Sequence, residues 1–261
     1  MPPSPCQLTL IVPAYNESAS IVATLVAIRA FLSKKPWTWE VIVSADGTDG
    51  TRERAAEFAK GDDRFIVMGQ DARLGKGRGV RQGVLRAKGK IVGFLDADYK
   101  TPIEDLEKIL PAFETGIDVA IGSRRLGAAR IEKPQPLYRR IGSRVFNLLI
   151  RTLMGLPDVR DTQCGFKFFT ASAAAQLFSL QRIDGYMFDV EILRLCKLLN
   201  LRVKEVGVNW RDDGDSRYQP VRGTIRNLKE LLRIRRLNYD LPAAGLEKPQ
   251  SPSPDQPRIA A

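Results

Sequence analysis

The sequence predicts an α/β fold with a mostly parallel central sheet and helices on both faces. Short apolar runs alternate with amphipathic stretches through the first half of the chain, a rhythm that parallel strands joined by helices produce. Polar residues follow the ends of four of these runs, at the carboxyl ends of strands, where open α/β sheets bind ligands.

In chain order, LTLIVP is the first strand and a helix follows from about Glu17 to Leu32. EVIVSAD is the second strand, with a helix in the fifties, and RFIVM is the third, with a helix following Lys76. IVGFLDAD ends the fourth run, a helix opens at Pro102, and DVAIGS is the fifth. The polar sets at the strand ends are Tyr15, Asn16 and Glu17; Asp46; Asp96 and Asp98; Ser123 and Arg124.

Beyond Arg124 the rhythm changes. Leu137 to Leu156 has apolar residues at 137, 141, 145, 148, 149 and 153 with Arg139, Arg140, Arg144 and Arg151 among them, a helix with one apolar side and a basic margin. About Pro220 to Leu237 repeats the pattern, with Ile225, Leu228, Leu232 and Ile234 among six Lys and Arg. Each reads either as a core-facing helix with a solvated outer side or as a membrane-surface helix. The stretch from Pro242 is rich in Pro and Ser and short of large apolar residues, so disorder is expected over 242–261.

Charge sharpens the division. The formal net charge is +11, yet residues 1–120 hold 16 Lys and Arg against 16 Asp and Glu, whereas residues 121–241 hold 23 against 12. The excess therefore lies in the second half, as a solvated basic surface or a face for phosphate, anionic lipid or nucleic acid. The chain has no histidine, which excludes zinc sites built on imidazole and every Ser-His or Cys-His nucleophile. Three cysteines without CxxC spacing point to a reducing compartment. With no leader-like start and no apolar run near the roughly 20 residues of a spanning helix, a soluble or peripheral protein is expected.

Asp96 and Asp98 flank one alanine at a strand end, and strand alternation would turn both acids to one side. They suit a Mg2+ or Mn2+ ion shared with substrate phosphates, or else cap the helix that starts near Pro102. RLGKGRGVRQG has neither dinucleotide nor P-loop spacing. Its glycines allow a close backbone approach with Lys76 reaching a phosphate, or simply a packed helix start.

LIVPAYNES, SADGTDGT, LGKGRGVRQG, LDADYKTP, VAIGSRR, RDTQCGFKFF and VNWRDDGDSRYQP, in that order, resemble the family 2 glycosyltransferases of GT-A fold. The likeness is nearest to dolichyl- or polyprenyl-phosphate glucose synthases, with the polyprenyl-phosphate mannose synthases next. It implies a nucleotide-diphospho-sugar transferase fold, one catalytic domain over 1–241, a nucleotide-sugar-binding half over 1–120 and a basic acceptor- and membrane-facing half over 121–241. It also implies a UDP-glucose or GDP-mannose donor, Mg2+ or Mn2+, and a polyprenyl or dolichyl phosphate acceptor. By the same resemblance Pro13, Tyr15, Glu17 and Asp46 bind the nucleoside, with Lys76 near it. Asp96 and Asp98 serve the ribose-diphosphate and the metal. Ser123, Arg124, Arg140 and Ser143 hold the acceptor phosphate, and Arg211 and the GDSR segment ending at Arg217 close over the diphosphate. Asp161, Gln163 and Gly165 either support the site as a packed turn or touch substrate.

The QxxRW signature of processive synthases is missing, which favours one sugar per cycle. These features lead to an inverting, metal-dependent hexosyltransferase, peripheral on the cytoplasmic membrane face. The alternatives are a mannosyl donor, a small soluble acceptor, or a basic nucleic-acid-binding protein. The last lacks a recognised module or a stacking surface of interleaved aromatic and basic residues.

Overall fold

The apolar run after Cys6 forms β1 (Leu8–Tyr15), whose residues are buried from Leu8 to Ala14 because the strand lies inside the sheet with a layer on each face. In the computed structural model, which describes residues 6–126, 137–211 and 220–241, the following elements are β2 (Trp39–Asp46), β3 (Phe65–Met68), β4 (Ile91–Leu95), β5 (Val119–Ser123), β6 (Phe166–Thr170) and β7 (Val203–Gly207). They form one seven-stranded sheet in the order β3-β2-β1-β4-β6-β5-β7. All neighbours are parallel except β6, which runs antiparallel between β4 and β5.

The helices are α1 (Ile21–Leu32), α2 (Thr51–Ala59), α3 (Lys76–Val84), α4 (Leu106–Ile109), α5 (Pro111–Glu114), α6 (Leu137–Met154), α7 (Ala171–Leu180), α8 (Phe188–Leu198) and α9 (Pro220–Arg236). Strand alternation sends Leu10, Val12, Val41 and Val43 to one core, which α1 and α4 cover through Leu25, Ile28 and Leu106. Ile11, Ile42 and Phe94 face the other core, closed by α3, α7, α8 and the inner sides of α6 and α9. Gly93 of β4 is opposite Phe168 of β6, and a Cβ there would lie 2.1 Å from that ring. The glycine is the space the aromatic fills.

Several expectations need adjustment. The first helix starts at Ile21, not Glu17, because Asn16 turns the chain with φ 55° and the Glu17 carbonyl accepts from the N–H groups of Ser20 and Ile21. This turn leaves residues 15–17 at the sheet edge.

The fourth strand stops at Leu95, so pleat alternation does not aim the two acids. Asp96 N–H donates to the Gly165 carbonyl at 3.2 Å, Tyr99 N–H donates to the Asp96 carbonyl at 3.1 Å, and Tyr99 has φ 53°. Asp96 and Asp98 therefore sit in a tight turn beyond the strand.

The largest change concerns α6 and α9. Residues 145, 148 and 149 of the expected apolar stripe are outward: Val145 is 62%, Leu148 60% and Leu149 38% exposed, while Ile150 and Met154 reach the core. On α9, Ile225, Leu228 and Leu232 are 54%, 38% and 40% exposed, while Leu231 and Ile234 are buried. Phe146, Ile150 and Met154 of α6 and Leu231 of α9 do most of the packing, joined by Leu153 and Ile234 from the expected stripes, and the two helices touch. Among the described residues no helix is long and apolar enough to cross a membrane. The expected tail at 242–261 lies outside the described residues.

Candidate functional site

The carboxyl ends of β1, β2 and β4 meet at an open cleft with a cavity volume of about 170 Å³. Such a cleft at the strand ends is where open α/β sheets receive small-molecule ligands. Parallel register makes Tyr15 and Asp46 direct partners at the ends of β1 and β2. Pro13, Tyr15, Glu17, Asp46, Lys76, Asp96 and Asp98, all named from the sequence, line this one cleft.

Asp46 acts on the loop in front of it. Its two oxygens accept from the N–H groups of Gln70 (3.3 Å) and Leu74 (3.2 Å), which fixes the segment carrying Arg73. The Arg73 guanidinium lies 4.3 Å from the Tyr15 ring centroid and donates to the Tyr186 hydroxyl at 3.3 Å. Arg73, Ser44 and Tyr186 line the cleft without having been singled out in the sequence. An arginine just before a glycine-rich helix start was a usable signal for the first; nothing local marked the other two.

The glycine-rich stretch is a close approach on both sides of α3. Gly75, at φ +114°, would place a Cβ 2.2 Å from the Asp184 carbonyl oxygen. A Cβ on Gly79 would meet Ser44 Oγ at 2.9 Å, and one on Gly83 would meet Ile11 at 2.8 Å. The helix thus lies low on the sheet, with Lys76 at its first position facing the cleft.

Lys76 Nζ is 2.6 Å from Asp96 Oδ1. Burial opposes the lysine's charge, but Asp96 and Asp189 more than offset it, so Lys76 holds its proton well above the usual range. Burial and then the neighbouring Asp96 charge push the Asp98 carboxyl up, with Lys100, 3.4 Å away, opposing them. Beneath, fully buried Lys167 pairs with Asp189 at 2.5 Å and donates to the Cys164 carbonyl at 2.6 Å. The next residue, Gly165, leaves the space that Asp96 occupies: a Cβ there would be 2.0 Å from Asp96 Oδ2.

No group of three or more His, Cys, Asp or Glu that could hold a metal exists among the described residues. Two carboxylates in one turn, each offset by a lysine, fit a hard cation that completes its shell with phosphate oxygens and water.

Across β6, Arg124 follows β5. Its Nε and Nη2 donate to the Asp161 carboxylate at 2.8 and 2.9 Å, and its N–H donates to the same carboxylate at 3.0 Å. Burial would raise the Asp161 carboxyl, but these bonds and the guanidinium charge hold it down at about 2. Asp161 thus supports Arg124, and its own N–H is held by Glu205 at 2.7 Å.

Arg124 remains partly exposed, 5.6 Å from the Trp210 ring, whereas Ser123 is fully buried. The Arg211 N–H donates to the Lys100 carbonyl at 2.9 Å, which brings this segment beside the acidic turn. Arg140 and Ser143 lie on α6, with side chains outside the described set, and Arg217 lies outside the described residues.

Residues 9–178 match the model of Glycosyl transferase family 2. A dolichyl-phosphate beta-glucosyltransferase of Trichomonas vaginalis is 35% identical over 244 residues, covering 89% of this chain and 72% of the relative. The human dolichyl-phosphate beta-glucosyltransferase is 32% identical over 260 residues, covering 93% and 78%. Among solved structures, glucosyl-3-phosphoglycerate synthase from Mycobacterium tuberculosis, in complex with Mn2+ and UDP-glucose, superposes with a TM-score of 0.68. It is 21% identical and covers 88% of this chain and 79% of that one.

Proposed function

The chain belongs to glycosyl transferase family 2 and has its GT-A fold, and from that premise we propose that it moves one glucose from UDP-glucose to a dolichyl or polyprenyl phosphate. One observation carries the reading: the acidic turn of Asp96 and Asp98 faces Lys76 in a cleft at the strand ends, with Arg124 two strands further along the sheet. The dolichyl-phosphate glucosyltransferases among its relatives support the sugar and the acceptor.

In this reading Pro13, Tyr15, Glu17 and the loop held by Asp46 receive the nucleoside. Lys76 exchanges Asp96 for a diphosphate oxygen as the donor enters. Asp96 and Asp98 would hold Mg2+ or Mn2+, which when bound neutralises charge on the leaving diphosphate. The Mn2+ complex of the structurally similar synthase supports a divalent ion of this kind.

The acceptor is a phosphate monoester, anionic at neutral pH, so its oxygen attacks the anomeric carbon without a strong base. The bond from that carbon to the diphosphate breaks and configuration inverts. A chain without histidine loses nothing by this chemistry. Arg124 is pre-oriented by Asp161 to present its remaining N–H groups to the acceptor phosphate, aided by Arg140 and Ser143, with Ser123 buried behind it rather than in contact, while Arg211 and Arg217 close over the diphosphate.

The single domain is proposed to sit on the cytoplasmic face of the membrane that carries the acceptor. The outward leucines and isoleucine of α6 and α9, beside Arg144, Arg226, Lys229 and Arg233, suit an anionic lipid surface. Nucleic acid would not need that apolar display.

The test is transfer of labelled glucose from UDP-glucose, and separately mannose from GDP-mannose, to a short polyprenyl phosphate with Mg2+ or with chelator. Chelator-sensitive lipid labelling from UDP-glucose is expected. Labelling only from GDP-mannose overturns the sugar, and donor hydrolysis without lipid product overturns the acceptor.

A further inference from the structure

Residues 184–187 form a strap between α3 and α9, gripped by its backbone from both sides. On the α3 side, Arg78 N–H donates to the Asp184 carbonyl at 3.2 Å, and the missing side chain of Gly75 admits that carbonyl. On the α9 side, Glu230 Oε2 accepts from the Met187 N–H at 3.1 Å. A Cβ on Gly185 would fall 2.1 Å from Glu230 Oε1, so the carboxylate occupies the space this glycine leaves.

The strap carries one side chain into the cleft, Tyr186, which is 41% exposed. Its hydroxyl receives the Arg73 hydrogen bond, and Arg73 lies over Tyr15 in turn. Arg226, one turn before Glu230 on α9, stands 5.5 Å from the Tyr186 ring centroid. The wall therefore brings two guanidinium groups within about 6 Å of one aromatic ring. A planar base joined to two phosphates needs both kinds of group.

We propose that Tyr186 is a binding residue for the nucleoside diphosphate and that Glu230 is its positioning residue, acting from α9 through the strap. This rests on the donor reading above and adds that α9, which bears the outward apolar face, also sets one wall of the donor cleft. Glu230 touches no substrate; its carboxylate fixes where the backbone at Gly185 and Met187 runs, and that sets the ring.

The experiment is calorimetric titration of UDP, and in parallel GDP, into the full chain and its variants. Tyr186→Ala is expected to weaken UDP by about tenfold, the scale of a lost aromatic and cation contact. Glu230→Ala is expected to weaken it similarly, with the double variant no weaker than Tyr186→Ala alone, because both changes remove one contact. Glu230→Gln keeps an acceptor oxygen in place and is expected to restore binding to within about twofold.

Should Glu230→Ala fail to fold, Gly185→Ala displaces the strap with Glu230 intact and is expected to match Tyr186→Ala. Unchanged UDP affinity in Tyr186→Ala, or additive losses in the double variant, overturns this proposal and leaves the donor reading standing. A wild-type chain that binds neither nucleotide overturns both.

Discussion

Lys76 Nζ lies 2.6 Å from Asp96 Oδ1, so the first residue of α3 neutralises the first acid of the turn after β4. The pair stands where a donor diphosphate is proposed to lie, and replacing the lysine separates two effects of opposite sign. In Lys76→Ala the carboxylates lose a competing cation, so Mn2+ alone should bind about fivefold more tightly, as expected for a contact worth about 1 kcal/mol. The KM for UDP-glucose should rise about tenfold or more as the phosphate partner is lost. Electron paramagnetic resonance of free Mn2+ and steady-state kinetics read the two separately; weaker Mn2+ binding would contradict the exchange.

Asp98 is raised by burial and by the Asp96 charge, and the proposed chemistry uses its ionised form. Protons should therefore compete with Mn2+ for the metal-free chain at a higher pH than the ordinary carboxylate value near 4, read as a loss of Mn2+ binding on the acid side. Asp98→Ala should lose about 100-fold or more in turnover, the scale of a removed charge-stabilising group, with its circular dichroism unchanged. Chelation should reproduce the loss in the wild type. Full activity in Asp98→Ala would remove this residue from the metal assignment.

Asp161 makes a stability prediction. Its carboxyl, at about 2 in the folded chain, is depressed relative to an unfolded value near 4. A depressed acid contributes stability above the unfolded value and loses it as pH falls through the folded one. Between about pH 4 and pH 2 the pair should surrender about 2 kcal/mol, a slope missing in Asp161→Asn. Denaturant melts of both proteins at stepped pH measure it.

The outward residues of α6 and α9 make a surface prediction. Leu148→Glu and Ile225→Glu remove exposed apolar groups, so their thermal midpoints should stay within a few degrees of the wild type. Each should weaken sedimentation with anionic phospholipid vesicles by about tenfold, since a buried Leu or Ile is worth about 1.5–3 kcal/mol. Equal binding by both variants would leave the apolar display unexplained by lipid.

Gly165→Ala probes the other side of the acidic turn. A Cβ 2.0 Å from Asp96 Oδ2 must displace the carboxylate, so turnover should drop by about tenfold or more. Binding of Mn2+ should fall with it, while Gly142→Ala, where a Cβ meets nothing within 4 Å among the described residues, should change neither.

Strands β1 to β5, the helices between them and the seven cleft residues on them could be read from the sequence because local signals carry them. A buried parallel strand is a continuous apolar run, and its polar terminus marks the ligand end. The turn geometry of Asp96 and Asp98 could not, since it depends on a hydrogen bond to Gly165, which lies 69 positions later in the chain. Tyr186 depends in the same way on contacts from α3 and α9. In α6 and α9 two apolar sets share one helix, and hydropathy alone does not say which set packs inward. FKFF was noticed as part of a motif, but its place as an antiparallel strand depends on pairing partners on both sides.

That inserted strand acts as a spacer. β4 and β5 point the same way with β6 between them, so the turn bearing Asp96 and the end bearing Arg124 emerge on one rim, two inter-strand steps apart. Two steps amount to about 10 Å, a gauge set by backbone hydrogen bonding and indifferent to side chains. An anion proposed to sit at Arg124 and a diphosphate proposed to sit at Asp96 would thereby be kept from collapsing onto each other, with room between them for about one sugar ring.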